Sequence, residues 1–306
     1  MFSFRSQRTR TRTRTLTGLV TAATGVLCLA TAASAFASGS TGGSAGAPSN
    51  AGSAAARSVH KARPWSYQAT AGQSRYNVAQ AVAQAKQFDV IAGNRFAYRD
   101  MAGAMHQANG QLQLLAYVNG AYAQKTEGTA FPDSWYLRNA DGGKVRSVGW
   151  GNYLMDVANP GWIQSVADRC LFSMHHFGYD GCFIDMMGTA SVMSFWTDGA
   201  PVDPRTGQHF TPSEWLDMTS ALARKVHFLV GGQSPVYLNG LGGGPRYFAK
   251  DAPSSQLLNG VDGALAESWL RGAAHALSWH PTEKQWKQNV DMLSDVSARG
   301  KAALVT

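Results

Sequence analysis

Cysteine is scarce in this chain, with three in 306 residues, and none belongs to a paired Cys motif of metal-ligand spacing. No His-Glu-x-x-His run occurs either, so the sequence offers no metal site of those types. His175-His176 closes a helical stretch, where imidazole favours the negative end of the helix dipole, and is read as a helix end. Charge is also sparse, at 15% of residues, which is low for a cytosolic protein. Acids are missing altogether among Arg5, Arg8, Arg10, Arg12 and Arg14. Setting those five arginines aside leaves +3 of the formal net charge of +8, which predicts no nucleic-acid partner. No Walker lysine follows Gly240-Leu241-Gly242-Gly243-Gly244, and Pro245 stands where a third dinucleotide glycine belongs. That run is read as a mobile active-site loop, and no cofactor is implied.

What is present begins with a targeting signal. The arginines precede an apolar run from Leu16 to Ala33, and Ala35 and Ala37 flank Phe36 as small residues do at a cleavage site. Residues 1–37 are therefore expected to be a signal peptide, and the mature protein to be secreted, with no membrane attachment after cleavage. A membrane anchor fits less well, because Thr and Gly dilute the run. The arginines alternate with threonines, which does not indicate a twin-arginine route, and Cys28 lacks the small residues that precede a lipid-modified cysteine. Residues 38–63 are Gly, Ser, Ala and Pro with almost no large apolar side chain, a composition that cannot offset the entropy of ordering it. They are expected to form a flexible linker. Gly42-Gly43-Ser44-Ala45-Gly46 has the spacing of a serine-hydrolase elbow but lacks the strand before and the helix after.

From residue 64 to 306 helix-like and strand-like stretches alternate. Helices are expected over Tyr76 to Gln87, Tyr98 to Ala108, Asn159-Pro160 to Phe177, Thr211 to Val230, and Thr282 to about Gly300. Strands are expected over Asp89 to Ala92, Gln113 to Asn119, Gly178 to Asp185, Pro235 to Asn239, Val261 to Glu267 and Lys301 to Thr306. Leu154 to Val157 is the weakest of the seven. Such alternation argues for an α/β fold, a (β/α)8 TIM barrel, here incomplete at its C-terminal end at about strand seven. The alternative is that an early segment, Trp65 to Ala69, supplies the missing strand.

The chemistry is expected where these strands end. Asp180-Gly181 turns the chain into a short uncharged run that emerges at Asp185. Val261 to Glu267 repeats the pattern, with an acid five residues after the turn aspartate. Two parallel strands entered in the same way lift Asp185 and Glu267 to one height, and glycosidic bond cleavage requires paired carboxylates at one mouth. Asp156, Asn119 and Asn239 end neighbouring strands and are candidates for holding substrate hydroxyls, although a polar strand end also caps loops. Asp180 and Asp262 lie at strand entrances, on the stability face of a barrel.

Two connections, Ala121 to Tyr153 and Met186 to Phe210, are far longer than ordinary strand-to-helix links, and long loops on that face build sites. They carry Phe131, Trp135, Tyr136, Trp150, Phe195 and Trp196, with Trp269 and Trp279 following Glu267. Flat aromatic faces suit the apolar faces of sugar rings; Trp150, Trp196 and Trp269 are the candidate sugar-binding residues, against the alternative that such side chains merely pack the loops. Cys170 and Cys182 face each other between helix and strand, which leaves a bridge or two buried thiols open.

Gly178-Tyr179-Asp180-Gly181-Cys182-Phe183-Ile184-Asp185 resembles the G-[FV]-D-G-x-x-[LIV]-D strand-four motif of barrel glycoside hydrolases, and Asp156 to Trp162 resembles its D-x-x-N-P-x-W lead-in. The chain resembles the hypothetical glycosyl-hydrolase-like barrels, including the group called hypothetical glycosyl hydrolase family 15, and more distantly the endo-polygalactosaminidases and the α-galactosidase clan. The resemblance implies a glycosidase acting on a polysaccharide or oligosaccharide, secreted if the N-terminal signal is read as above, and the α-galactosidase-like arrangement implies Asp185 as nucleophile and Glu267 as acid. True α-amylases carry an arginine where this chain has Phe183 and a glutamate where it has Asn239, which argues against amylase activity. A non-catalytic carbohydrate-binding barrel is the alternative.

Overall fold

The computed structural model describes residues 27–29, 63–68, 76–192, 195–267, 269 and 280–306. Most of the expected signal peptide and linker, and Trp279, lie outside the described residues. Seven parallel strands follow one another around a nearly closed barrel: β1 (Arg63–Gln68), β2 (Val90–Asn94), β3 (Gln113–Asn119), β4 (Gly181–Asp185), β5 (Val236–Asn239), β6 (Gly263–Ala266) and β7 (Ala302–Val305). Between them run α1 (Val78–Gln87), α2 (Ala102–Ala108), α3 (Pro160–Phe177), α4 (Pro212–Leu229) and α5 (Glu283–Ala298). The backbone of Leu27–Leu29 pairs antiparallel with the start of β1. No helix among the described residues is long and apolar enough to cross a membrane.

The helices start where their sequences provide a partner for the first free N–H groups. Asn159 caps α3 by accepting from Gly161 N at 2.9 Å, with Pro160 in the first turn, and Gly178 ends that helix at φ 74°. Capping boxes open α1 at Asn77 and Gln80, α4 at Thr211 and Glu214, and α5 at Thr282 and Gln285.

One of the expected strands changes. Leu154 to Val157 is not a barrel strand: Tyr153–Leu154 pairs antiparallel with Tyr122–Ala123, and Leu154 N donates to Val145 O within the long connection after β3. Its hydrogen-bonding edges are taken by the loop, so none is left for the barrel. The place goes to Arg63–Gln68, which pairs in parallel with β2 from Trp65↔Val90 to Gln68↔Gly93. This is the alternative the sequence left open, and it keeps the Asp185 strand fourth and the Glu267 strand sixth.

Alternation along each strand splits the core in two. Trp65, Val90, Ala92, Leu115, Phe183, Tyr237, Leu265, Ala302 and Leu304 fill the barrel interior. Ile91, Leu114, Cys182, Val236, Ala264 and Val305 face outward into the helices. Inward parity on β3, β4, β5 and β6 continues to Tyr117, Asp185, Asn239 and Glu267 at the carboxyl ends. Cys182 has the opposite parity and meets Cys170 of α3 in a disulfide, with Cα atoms 5.8 Å apart.

The repeated Asp-Gly pair has a structural basis. Asp180 Oδ2 accepts from Leu114 N at 2.7 Å, and Asp262 Oδ2 accepts from Val236 N at 2.9 Å, so each aspartate caps the start of the preceding strand. The glycine then serves the following strand: a Cβ on Gly181 would stand 2.0 Å from Pro235 O, and one on Gly263 would stand 2.6 Å from Ala302 O.

Candidate active site

Asp185 ends β4 facing inward and is only 7% exposed. A buried carboxylate needs several donors, and this one has three: Asn239 Nδ2 at 2.9 Å and Met186 N at 2.8 Å, both to Oδ1, and the Tyr117 hydroxyl at 2.6 Å to Oδ2. Met186 sits at φ 63°, a left-handed conformation uncommon for a non-glycine residue. That turn bends the chain sharply after Asp185 and aims the Met186 N–H back at the carboxylate. Met187 N then bonds Asn239 O at 2.9 Å, and Gly120 N bonds Asp185 O at 2.9 Å. Gly188 and Gly240 touch there; a Cβ on Gly240, which has φ 152°, would stand 2.4 Å from Gly188 N. The rim behind Asp185 is therefore backbone packed on backbone.

Asn239 is the hinge of the group. Its Nδ2 also donates to Glu267 Oε2 at 3.1 Å, so a single amide nitrogen holds both acids. In register Asp185 aligns with Asn239 and with Leu265, leaving Glu267 two positions further along its strand. Strand tilt advances the residues of one barrel layer by about one position per strand, so this offset over two strands suits acids that share one mouth, and Asn239 spans it. With contacts of 2.9 and 3.1 Å from one nitrogen, Asp185 Oδ1 and Glu267 Oε2 lie no more than about 6 Å apart.

Burial among barrel atoms raises the Glu267 carboxyl above its ordinary value, the Asn239 hydrogen bond opposes this, and the Asp185 charge reinforces it. The residue is nonetheless exposed at the mouth. The crowding is therefore partial, and solvent moderates the shift. Tyr117 is pushed well above its ordinary value by desolvation first and then by the charge of Asp185, so it remains a donor; a hydrogen bond from Asn119 works the other way.

The other predicted residues divide. Asn119 belongs to the group through Tyr117, but its Oδ1 accepts from Ala121 N at 3.1 Å and Tyr122 N at 2.7 Å and so holds the turn after β3. Asp156 does not end a barrel strand. It lies buried in the long connection, accepts from Ala158 N at 3.1 Å, and faces Arg205 Nη1 at 3.8 Å. Burial raises its carboxyl, opposed by that N–H and by Arg205. It is a tie between the loops that follow β3 and β4. Trp269 is pinned to α5: its Nε1 donates to Asn289 O at 3.2 Å and its ring packs 5.0 Å from Trp286.

Phe131, Trp135 and Tyr136 pack the loop. Phe131 stacks on Trp135 at 5.6 Å and meets Trp162 edge-on at 5.4 Å, while Trp162 Nε1 donates to Gly120 O at 2.8 Å. Trp150 and Phe195 stand out in solvent, at 64% and 59% exposure. They sit on two loop segments joined by the bond from Val148 N to Trp196 O at 2.9 Å. Tyr117 was missed by the sequence reading, although its parity with Leu115 and Asn119 on β3 marks it as inward. Among the described residues, no group of three or more His, Cys, Asp or Glu is placed to hold a metal ion.

No family model matches the chain, and no curated protein matches it in sequence. Solved structures do resemble it. A cycloisomaltooligosaccharide glucanotransferase from Paenibacillus sp., solved with cycloisomaltoheptaose, aligns at 14% identity and TM-score 0.55, covering 78% of this chain and 37% of that one. An alpha-galactosidase from Thermus thermophilus aligns at 14% identity and TM-score 0.44, covering 65% and 41%. A GH31 family sulfoquinovosidase from E. rectale aligns at 11% identity and TM-score 0.45, covering 75% and 40%. This chain thus spans less than half the length of each. At such identities the likeness is one of fold alone, carried by the first: a TIM-barrel-like α/β fold.

Proposed function

We propose that the protein is a secreted glycoside hydrolase that cleaves a polysaccharide or oligosaccharide with retention of configuration. The observation that carries this reading is the single Asn239 amide shared by Asp185 and Glu267. It limits the facing oxygens of the two acids to no more than about 6 Å, near the roughly 5–5.5 Å of a retaining pair and below the roughly 6.5–9.5 Å that an inverting enzyme leaves for water. Asp185, buried and hydrogen-bonded in its charged form, is the nucleophile that attacks the anomeric carbon. Glu267, with its carboxyl raised and its face open to the mouth, protonates the departing oxygen and then takes a proton from the incoming water.

Trp150 and Trp196, with Phe195 beside them, are the candidates for holding sugar rings further along the chain of the substrate. Asn119 and Asn239 are assigned to positioning the acids rather than to the substrate. Export is supported by the arginine-led apolar run at the N-terminus and by the Cys170–Cys182 disulfide, since such bonds persist in oxidising compartments. The specific grouping with hypothetical glycosyl hydrolase family 15 rests on the Gly178 to Asp185 motif.

The test is to incubate wild type, Asp185→Asn and Glu267→Gln with a panel of polysaccharides and assay new reducing ends, following the anomer formed first by NMR. Wild type is expected to release sugar of retained configuration, with each variant reduced on the order of 10³-fold or more. Equal release by all three would put the chemistry elsewhere, and release of the inverted anomer would overturn the role of Asp185. Carbohydrate binding without release by any of the three would make the chain a binding barrel.

A further inference from the structure

Hydrogen bonds are shared unevenly between the two oxygens of Asp185. Oδ1 accepts from Asn239 Nδ2 and Met186 N; among the described residues, Oδ2 accepts from the Tyr117 hydroxyl alone. Each carboxylate oxygen has two in-plane lone pairs. Oδ1 is therefore fully engaged, while Oδ2 keeps one lone pair unengaged among the described residues. Tyr117 is well placed to act on that oxygen: its ring stacks on Phe183 at 6.5 Å inside the barrel, and Asn119 hydrogen-bonds its hydroxyl.

We propose that Tyr117 is a positioning residue that selects Oδ2 of Asp185 as the attacking atom and accelerates the second step of the reaction more than the first. The inference rests on the retaining reading above. In the first step Oδ2 forms a bond to the anomeric carbon, the bond to the leaving oxygen breaks, and that oxygen takes the proton of Glu267. Negative charge leaves Oδ2, so the hydrogen bond from Tyr117 stabilises the starting carboxylate and gives this step no help. In the second step a water oxygen bonds to the anomeric carbon, its proton passes to Glu267, and the bond to Oδ2 breaks with its electron pair returning to Oδ2. Charge now grows where the Tyr117 O–H is aimed. A donor matched to charge that appears in the transition state speeds that step.

The experiment compares wild type with Tyr117→Phe, which keeps the ring and removes the hydroxyl, on aryl glycosides with a good leaving group. With such substrates the first step is fast, so kcat reports the second. The expected result is a fall in kcat of about 10- to 100-fold with kcat/KM changed by less than about 3-fold. A burst of aryl alcohol and a protein mass increased by one glycosyl unit should accompany it. Equal falls in kcat and kcat/KM without a burst, or no change in either, would overturn the proposal. Should Tyr117→Phe not fold, replacing Tyr117 with 3-fluorotyrosine gives a stronger donor of nearly the same shape. That form is expected to raise kcat, and an unchanged kcat counts against the proposal. Failure of wild type to release any aryl alcohol overturns the glycosidase reading and this inference with it, whereas an active wild type isolates the role of Tyr117.

Discussion

Glu267 is the residue whose environment sets the pH behaviour. Its folded carboxyl lies above its unfolded value because burial penalises the charge. The stability it contributes is therefore fully present below the unfolded value, about 4.3, and is lost as pH rises through the folded one. On the proposed mechanism activity follows the same group, since only the protonated acid would serve the leaving oxygen. kcat/KM is expected to fall as pH rises past the ordinary carboxylate range. Glu267→Gln, which keeps an acceptor for Asn239 but no charge, is expected to melt on the order of 1–3 °C above wild type at pH 8 and to lose that advantage at pH 4. Thermal unfolding at the two pH values checks this; an advantage equal at both would mean that Glu267 carries no burial penalty. At this scale the acids were legible because charge is so rare at the end of an apolar strand. Tyr117 was not, because an inward aromatic next to the core reads as packing until its hydroxyl is seen to meet Asp185. Asp156 misled for the converse reason: it ends a short apolar stretch whose hydrogen bonds turn out to belong to a loop.

At the scale of elements, the Asp-Gly pairs align the strands that carry the acids. Asp180 engages β3, and Gly181 lets the start of β5 approach from the other side. Gly181→Ala places a methyl against Pro235 O, an atom of the backbone that cannot swing aside. The expected cost is about 2–4 kcal/mol, read by denaturant unfolding, whereas Gly142→Ala, in open space but at φ 80°, is expected to cost about 1 kcal/mol. Equal costs at the two sites would show that the close approach at Gly181 carries no energy. The disulfide ties α3 to this same strand, so the helix that begins at Asn159 and the strand that ends at Asp185 move as one piece. The helix limits were readable to within a few residues because their caps are local chemistry, side chain to backbone three residues on.

At the scale of the whole molecule, the barrel is a ring of seven parallel strands drawn together across its seam. The Trp65 indole, filling the interior, donates from β1 to Val305 O on β7 at 3.2 Å. A buried carbonyl deprived of its donor is costly, so Trp65→Phe is expected to lower stability by about 1–3 kcal/mol and to increase amide exchange in β7 ahead of β4. Exchange that rises uniformly would mean that the seam is not where the barrel opens.

The sequence by itself determined the alternation of strands and helices, the caps, the inward parity of Asp185 and Glu267, and the pairing of Cys170 with the Cys182 strand as a possibility. These depend on periodicity and on contacts within a few residues, which the order of amino acids states directly. Only the tertiary structure decided that Arg63–Gln68 rather than Leu154 to Val157 joins the barrel, because both stretches are plausible strands and the choice depends on which edge is free to pair. It also decided that Asn239 spans a two-residue offset between the acids, and that Tyr117 and Asn119 complete the group. Register between strands is set by packing around the whole ring, and no local pattern records it.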